Sequence, residues 1–145
     1  MMLMGFVGGK SRQQLVMANK LAQDLKGSFR VQIIDNGSLD FTTDGKVARL
    51  SRAILARQFR DRVIVVTGVN TQAEFDLLRR YNAVICISSA PLHTLFNVNE
   101  ILPTDLFVCS RPGRLDTAEK RQQYITPEEA FSICYGRERG FKEAV

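Results

Sequence analysis

Residues 2–11, Met2-Leu3-Met4-Gly5-Phe6-Val7-Gly8-Gly9-Lys10-Ser11, read as an apolar strand, a glycine turn and the start of a helix. Parts in that order can cradle a phosphate. Backbone N–H groups of the turn and of the helix start would face its oxygens. Lys10 would bring a mobile positive charge, and the Ser11 hydroxyl would face a magnesium ion. The usual spacing sets four residues between the first glycine and the Gly-Lys pair. Met4 occupies the position of that first glycine, and Gly5 leaves only Phe6, Val7 and Gly8 in between. The turn is one residue short.

The chain around this stretch has 145 residues and a mass of 16.3 kDa, enough for a single domain with a proper core. We expect that domain to span residues 1–136 and a charged tail to occupy 137–145. Hydrophobic residues at 45% and charged residues at 24% are globular values and argue against disorder. The longest apolar runs, Val63–Val66 and Ala83–Ile87, are of strand length, far below the roughly 18 residues that span a bilayer. No basic flank precedes the first apolar residues, so no secretory signal is expected. Cys86, Cys109 and Cys134 match no zinc spacing and suit a reduced, cytoplasmic compartment.

A net charge of +5 with a pI near 9.4 points to an anionic partner. Nucleic acid and nucleotide phosphates compete for that role. The basic residues are scattered, tryptophan is absent, and no aromatic-plus-basic stretch suggests a single-strand-binding surface. Nucleic acid is therefore the weaker candidate.

Beyond the turn, apolar positions at Leu15, Val16, Ala18, Leu21, Ala22 and Leu25 keep close to a helical period, and Lys26-Gly27 supplies a stop. Phe29–Asp35 reads as a strand with β-branched residues at its centre, ended by Asp35-Asn36-Gly37, and Ser38–Thr43 as loop. Thr43 or Asp44 can cap a helix to about Asp61, with Val47, Leu50, Ile54, Leu55 and Phe59 inward and Arg49, Arg52, Arg57 and Arg60 mostly outward. Val63–Val66 fits a central parallel strand buried on both faces. Asn70 or Thr71 caps a third helix ending in Arg79-Arg80, and Ala83–Ile87 is a fourth strand. Ser88-Ser89-Ala90-Pro91 leaves it for a short helix around Leu92–Phe96. Leu106–Cys109 is a fifth strand, followed by Arg111-Pro112-Gly113-Arg114. Thr126, Pro127 and Glu129 begin a last helix that is expected to end near Gly136.

Five strands alternating with helices predict an α/β three-layer sandwich around a five-stranded, mostly parallel sheet. Ligands of such sheets sit outside the carboxyl ends of the strands. Gly5, Gly8, Gly9, Lys10, Ser11 and Arg12 are accordingly candidate nucleotide-binding residues, with Ser11 as metal ligand. Asp35 would orient an attacking oxygen or hold magnesium through water, with Lys10 as its catalytic partner; equally, Asp35 suits the turn it begins. Arg111 and Arg114 carry fork-shaped guanidinium groups that suit phosphate or stack on a base, and the alternative is two solvated arginines in a turn. His93, the one histidine, has no neighbouring ligand residue in sequence and reads as structural.

Together these parts resemble the nucleotide-kinase branch of the P-loop NTPase fold, and among its members the deoxynucleoside monophosphate kinases of tailed phages. The resemblance runs from about Leu3 to Cys109, in element order more than in identities. Its most telling piece is strand, Thr67-Gly68-Val69-Asn70, helix with Ala73-Glu74-Phe75, strand. In that family the strand ends in Asp-x-Arg and the helix opens with Asn-Glu. Here Gly68 stands at the aspartate and Asn70 at the arginine. A weaker likeness, carried by Asp35 and Ser89-Ala90-Pro91-Leu92, is to adenylylsulfate kinases. The resemblance implies ATP and magnesium as cofactors, a nucleotide or nucleoside monophosphate as partner, and phosphoryl transfer to a small acceptor. The departures imply an alternative, a kinase-like pseudoenzyme that binds another protein of the host.

Overall fold

The computed structural model describes residues 2–8, 10–36, 43–56, 61–88 and 94–143. Strands β1 (Met2–Val7), β2 (Arg30–Asp35), β3 (Arg62–Val69), β4 (Val84–Ser88) and β5 (Leu106–Val108) form one sheet in the order β2-β3-β1-β4-β5. Every pairing among the described strands is parallel, in keeping with the expected α/β sheet. The helices are α1 (Ser11–Leu25), α2 (Thr43–Leu55), α3 (Gln72–Arg80), α4 (Ala118–Gln123) and α5 (Pro127–Glu143).

Period-two alternation along β1 explains the three layers. Met2, Met4 and Phe6 face one core with Met17, Ala18 and Leu21 of α1 and Phe131 of α5. Leu3 and Val7 face the other, with Leu50 of α2 and Phe75 and Leu78 of α3. Gly5 shares that second face without a side chain, and a Cβ built there would lie 2.7 Å from Leu78 Cδ1. Its glycine makes room for α3 to seat on the sheet.

Several elements differ from their sequence-based bounds. β3 continues to Val69, because Thr67, Gly68 and Val69 are buried, with Thr67 paired to Asp35 and Val69 to Val7. The β1–β3 register steps from Gly5↔Val66 to Val7↔Val69, a bulge of one residue, with Gly68 at φ +71° absorbing the bend. The inward stripe of α1 is Gln14, Met17, Ala18 and Leu21, whereas Val16 is exposed. α5 runs through Gly136 to Glu143 instead of stopping. Phe131 and Cys134, buried against the sheet, outweigh the roughly 1 kcal/mol by which a glycine weakens a helix. α4 was not expected. The anticipated end of α2 at Asp61 partly falls on residues 57–60, outside the described residues, as do loop residues 37–42 and Ser89–His93. A single 3₁₀ turn at Thr94–Asn97 stands where the helix around Leu92–Phe96 was expected.

Capping chemistry agrees with expectation. Thr71 caps α3, its hydroxyl accepting from Glu74 N–H at 3.4 Å and donating to Glu74 Oε1 at 2.7 Å. Thr126 and Glu129 repeat the pattern at α5, at 3.2 and 3.1 Å. At the other pole, Arg79 grips the buried Asp105 through two nitrogens, at 2.5 and 2.7 Å, tying α3 to the start of β5.

All three cysteines are free thiols. Burial is the main cause that lifts the Cys134 thiol from 9.0 to about 11, and it pushes Cys86 higher still. In the unfolded chain both thiols ionise near 9; in the fold they stay protonated. Their stabilising effect is therefore complete below about pH 9 and is lost as pH rises toward 11. For Cys134 alone the loss amounts to about 2–3 kcal/mol. Urea midpoints measured from pH 8 to 11 should fall accordingly, and a Cys134→Ala variant should show a shallower decline.

Candidate functional site

The chain leaves β1 at Val7 and enters α1 at Ser11, with three residues between them. Gly8 lies at φ +91°, a conformation in which an L side chain is strained. Lys10 is the extended N-cap residue of α1; its carbonyl accepts from Gln13 and Gln14 N–H at 3.0 and 3.1 Å, and its side chain is exposed and caps nothing. Gly9 and the Ser11 side chain lie outside the described parts. Gly5 is not in the turn at all. It pairs with Val66 and Ile85 inside β1, which corrects its assignment as a phosphate-facing residue.

Two crevices flank β1, because the helix after β1 covers one face while the segments after β3 and β4 return on the other. The crevice toward β3 is closed by Gln14. Its amide nitrogen donates to Gly8 O, and its Oε1 accepts from Gly68 N–H at 2.7 Å. Gln14 is buried with the apolar residues of α1 and works as a strut between the two strand exits. Beyond it, the Thr67 hydroxyl donates to Asp35 Oδ1 at 3.0 Å, and Asn36 Nδ2 donates to Glu74 Oε2 at 2.9 Å. Asn36 and Glu74 are fully buried, so Glu74 serves as a strut, out of reach of a ligand, and does not replace the carboxylate missing at Gly68.

The crevice toward β4 is open. A cavity of about 400 Å³ lies between the first two turns of α1 and the strand ends of β4 and β5. Gln13, Val16 and Met17 form one wall, and Ser88 lines it at the end of β4. The Ser88 hydroxyl is buried and has no hydrogen-bond partner among the described residues. Arg111 and Arg114 line the same cavity from the excursion after β5. That excursion is tightly held. Arg114 N–H donates to Arg111 O at 3.1 Å across the Pro112–Arg114 turn, and Arg121 Nη1 donates to Leu115 O at 2.7 Å. At its base, Ile125 N–H donates to Phe107 O and Cys109 N–H to Ile125 O, both at 2.9 Å. The structure thus brings Arg111 and Arg114 to the start of α1, near Lys10 and Arg12 in sequence. Asp35 lies on the far side, at the end of β2, with β3 and β1 between it and β4.

Sequence reasoning missed Gln14 and Gln13, while Ser88 stands among the strand-exit residues where a ligand is expected. For Gln14 a signal existed: a glutamine three residues before Met17 and seven before Leu21 continues their inward stripe. Nothing in the sequence marked Ser88 as buried and unpartnered.

Among the described residues no group of three or more His, Cys, Asp or Glu side chains is placed to hold a metal ion. No described helix is long and apolar enough to cross a membrane. No protein-family model and no curated protein matches the chain. A solved structure described as the crystal structure of APE1195 aligns with a TM-score of 0.48 and 14% identity, covering 99% of this chain and 95% of that one.

Proposed function

We propose that this chain binds a nucleotide across its carboxyl strand ends, in a reduced, cytoplasmic setting. The phosphates would lie at the start of α1 beside Lys10 and Arg12, and the base and sugar between α1 and the turn bearing Arg111 and Arg114. The observation that carries this reading is the cavity of about 400 Å³ with an unpartnered buried hydroxyl, Ser88, in its wall and two arginines along its rim. Its size falls in the range of small-molecule sites. Apolar walls with few polar points suit a flat base. Exposed guanidinium groups suit phosphate oxygens.

ATP fits these residues as a ligand. Magnesium finds no assembled carboxylate set among the described residues, and Ser11 as its ligand remains part of the proposal. The chain's own contribution is to bind and orient, through the amides at the start of α1 and the charge of Lys10.

A second reading, a kinase-like scaffold that binds without transferring, is favoured by Gln14. Phosphoryl transfer depends on positioned charge around the phosphates. Gly68 offers no carboxylate, its N–H is taken up by Gln14, and Asp35 accepts a hydrogen bond from Thr67. Such a scaffold would act through a protein partner.

Calorimetric titration with ATP, ADP and the deoxynucleoside monophosphates, with and without magnesium, tests both readings. Binding is expected, weakened about tenfold or more by Lys10→Ala and by Arg111→Ala/Arg114→Ala. No binding of any nucleotide, or affinities untouched by these substitutions, would reject the site. Phosphorylation of any common monophosphate would reject the second reading alone.

A further inference from the structure

The β2 edge of the sheet is a second place where the fold offers binding groups. Among the described residues β2 pairs with β3 alone. Arg30 N–H donates to Asp61 O at 2.7 Å and Asn36 N–H to Thr67 O at 3.0 Å, so the even-numbered residues turn their backbone groups toward β3. By the alternation of a parallel ladder, Val31 and Ile33 present N–H and C=O on the other side. Beside that edge runs a groove of about 320 Å³, with Gln32 to Ile34 on the strand side and Arg49, Arg52, Ala53 and Ala56 on the helix side. The two alanines leave the space. A hollow of about 200 Å³ at Arg30, Val31 and Arg62 extends it toward the start of the strand.

The charge along this edge is one-sided. Arg30, Arg49, Arg52 and Arg62 line it. Asp61, 3.3 Å from Arg30, and Asp35 at the strand's far end are the described acids nearby. Arg62 also donates to Gln32 Oε1. Charged residues on an edge strand deter edge-to-edge aggregation, and one or two suffice for that. Here the arginines also stand on the facing helix, where edge protection does not need them. Arg49 and Arg52 are exposed.

We propose that the β2 edge is a docking site for an acidic, extended segment of a partner protein. The segment adds as a strand against Val31 and Ile33, and its carboxylates meet Arg49, Arg52 and Arg62. A second copy of this chain is a poor occupant, since it would bring the same arginines. Nucleic acid is disfavoured because, among the described residues, no aromatic side chain lines either hollow for a base to stack on. The inference is independent of nucleotide binding, which uses the other side of the sheet.

The test uses the full chain and a blocked eight-residue peptide of alternating Val and Glu, followed by fluorescence anisotropy. Binding is expected, weakening with salt and falling about tenfold or more in Arg49→Glu/Arg52→Glu. Both sites are on the surface of α2, and unchanged circular dichroism would show the variant folded. The same peptide N-methylated at every residue, which has no N–H to donate along either edge, should bind at least tenfold more weakly. The proposal is overturned by no binding at millimolar peptide, by equal binding of a Val-Lys peptide, or by indifference to charge reversal or N-methylation. Tighter binding of oligothymidylate at the same arginines would overturn it in favour of nucleic acid.

Discussion

Glu74→Ala should destabilise the fold by about 2–4 kcal/mol, a large loss for a single polar substitution. The carboxylate is fully buried and accepts from two groups, Asn36 Nδ2 and the Thr71 hydroxyl. Truncation leaves Asn36 with no side-chain partner among the described residues for either end of its amide, since its Oδ1 already has none there. Each buried polar group left unsatisfied costs about 1–3 kcal/mol, and loss of half a capping box adds to that. Glu74→Gln keeps the shape and an acceptor for Asn36, so its loss should be less than half as great. Urea unfolding followed by circular dichroism measures both. A Glu74→Ala loss below about 1 kcal/mol would show that water reaches this network in solution.

Gln14→Ala should follow closely, at about 2–4 kcal/mol, for a related reason. The substitution strips a partner from Gly8 O and from Gly68 N–H together, and it leaves a hole at the head of α1's inward stripe. Gln14→Glu is the sharper control. A carboxylate can still accept from Gly68 N–H but cannot donate to the Gly8 carbonyl, so it sets two acceptors against each other. It should recover little of the loss. Hydrogen exchange at Gly68 should accelerate in both variants, well beyond the change at Val65 in the middle of the same strand. If Gly68 stays protected in Gln14→Ala, the strut is not what closes the crevice.

Much of the fold was legible because its signals are local. β1, β3 and β4 are short apolar runs, and the starts of α3 and α5 carry Thr-x-x-Glu boxes that the structure reproduces. What could not be read has physical reasons. α4 is six residues long and exposed throughout, so no apolar stripe marks it. Gly136 looked like a stop because the packing of Phe131 and Cys134, which carries α5 past it, is tertiary. The end of β3 was obscured by Gly68, which reads as a breaker in sequence and serves as a bulge in the sheet. At the site, Arg111 and Arg114 were legible as residues but not as neighbours of α1. Their convergence with Gln13 depends on strand order, a long-range property. Gly5 was misread for the opposite reason: a motif spacing suggested a ligand where the space is taken by Leu78.

The central place of β1 bears on how the chain folds. Its neighbours β3 and β4 begin sixty and more residues downstream, at Arg62 and Val84. The central strand, made before β3 and β4, is thus slow to gain both partners, and until then its apolar residues have no ladder to join. Pairings so distant in sequence close large loops before they return any contact energy, which places this chain among the slower folders of its size. During synthesis the stretch Met2–Val7 is the segment most in need of shielding, and α1, through Met17, Ala18 and Leu21, is the nearest element able to cover it.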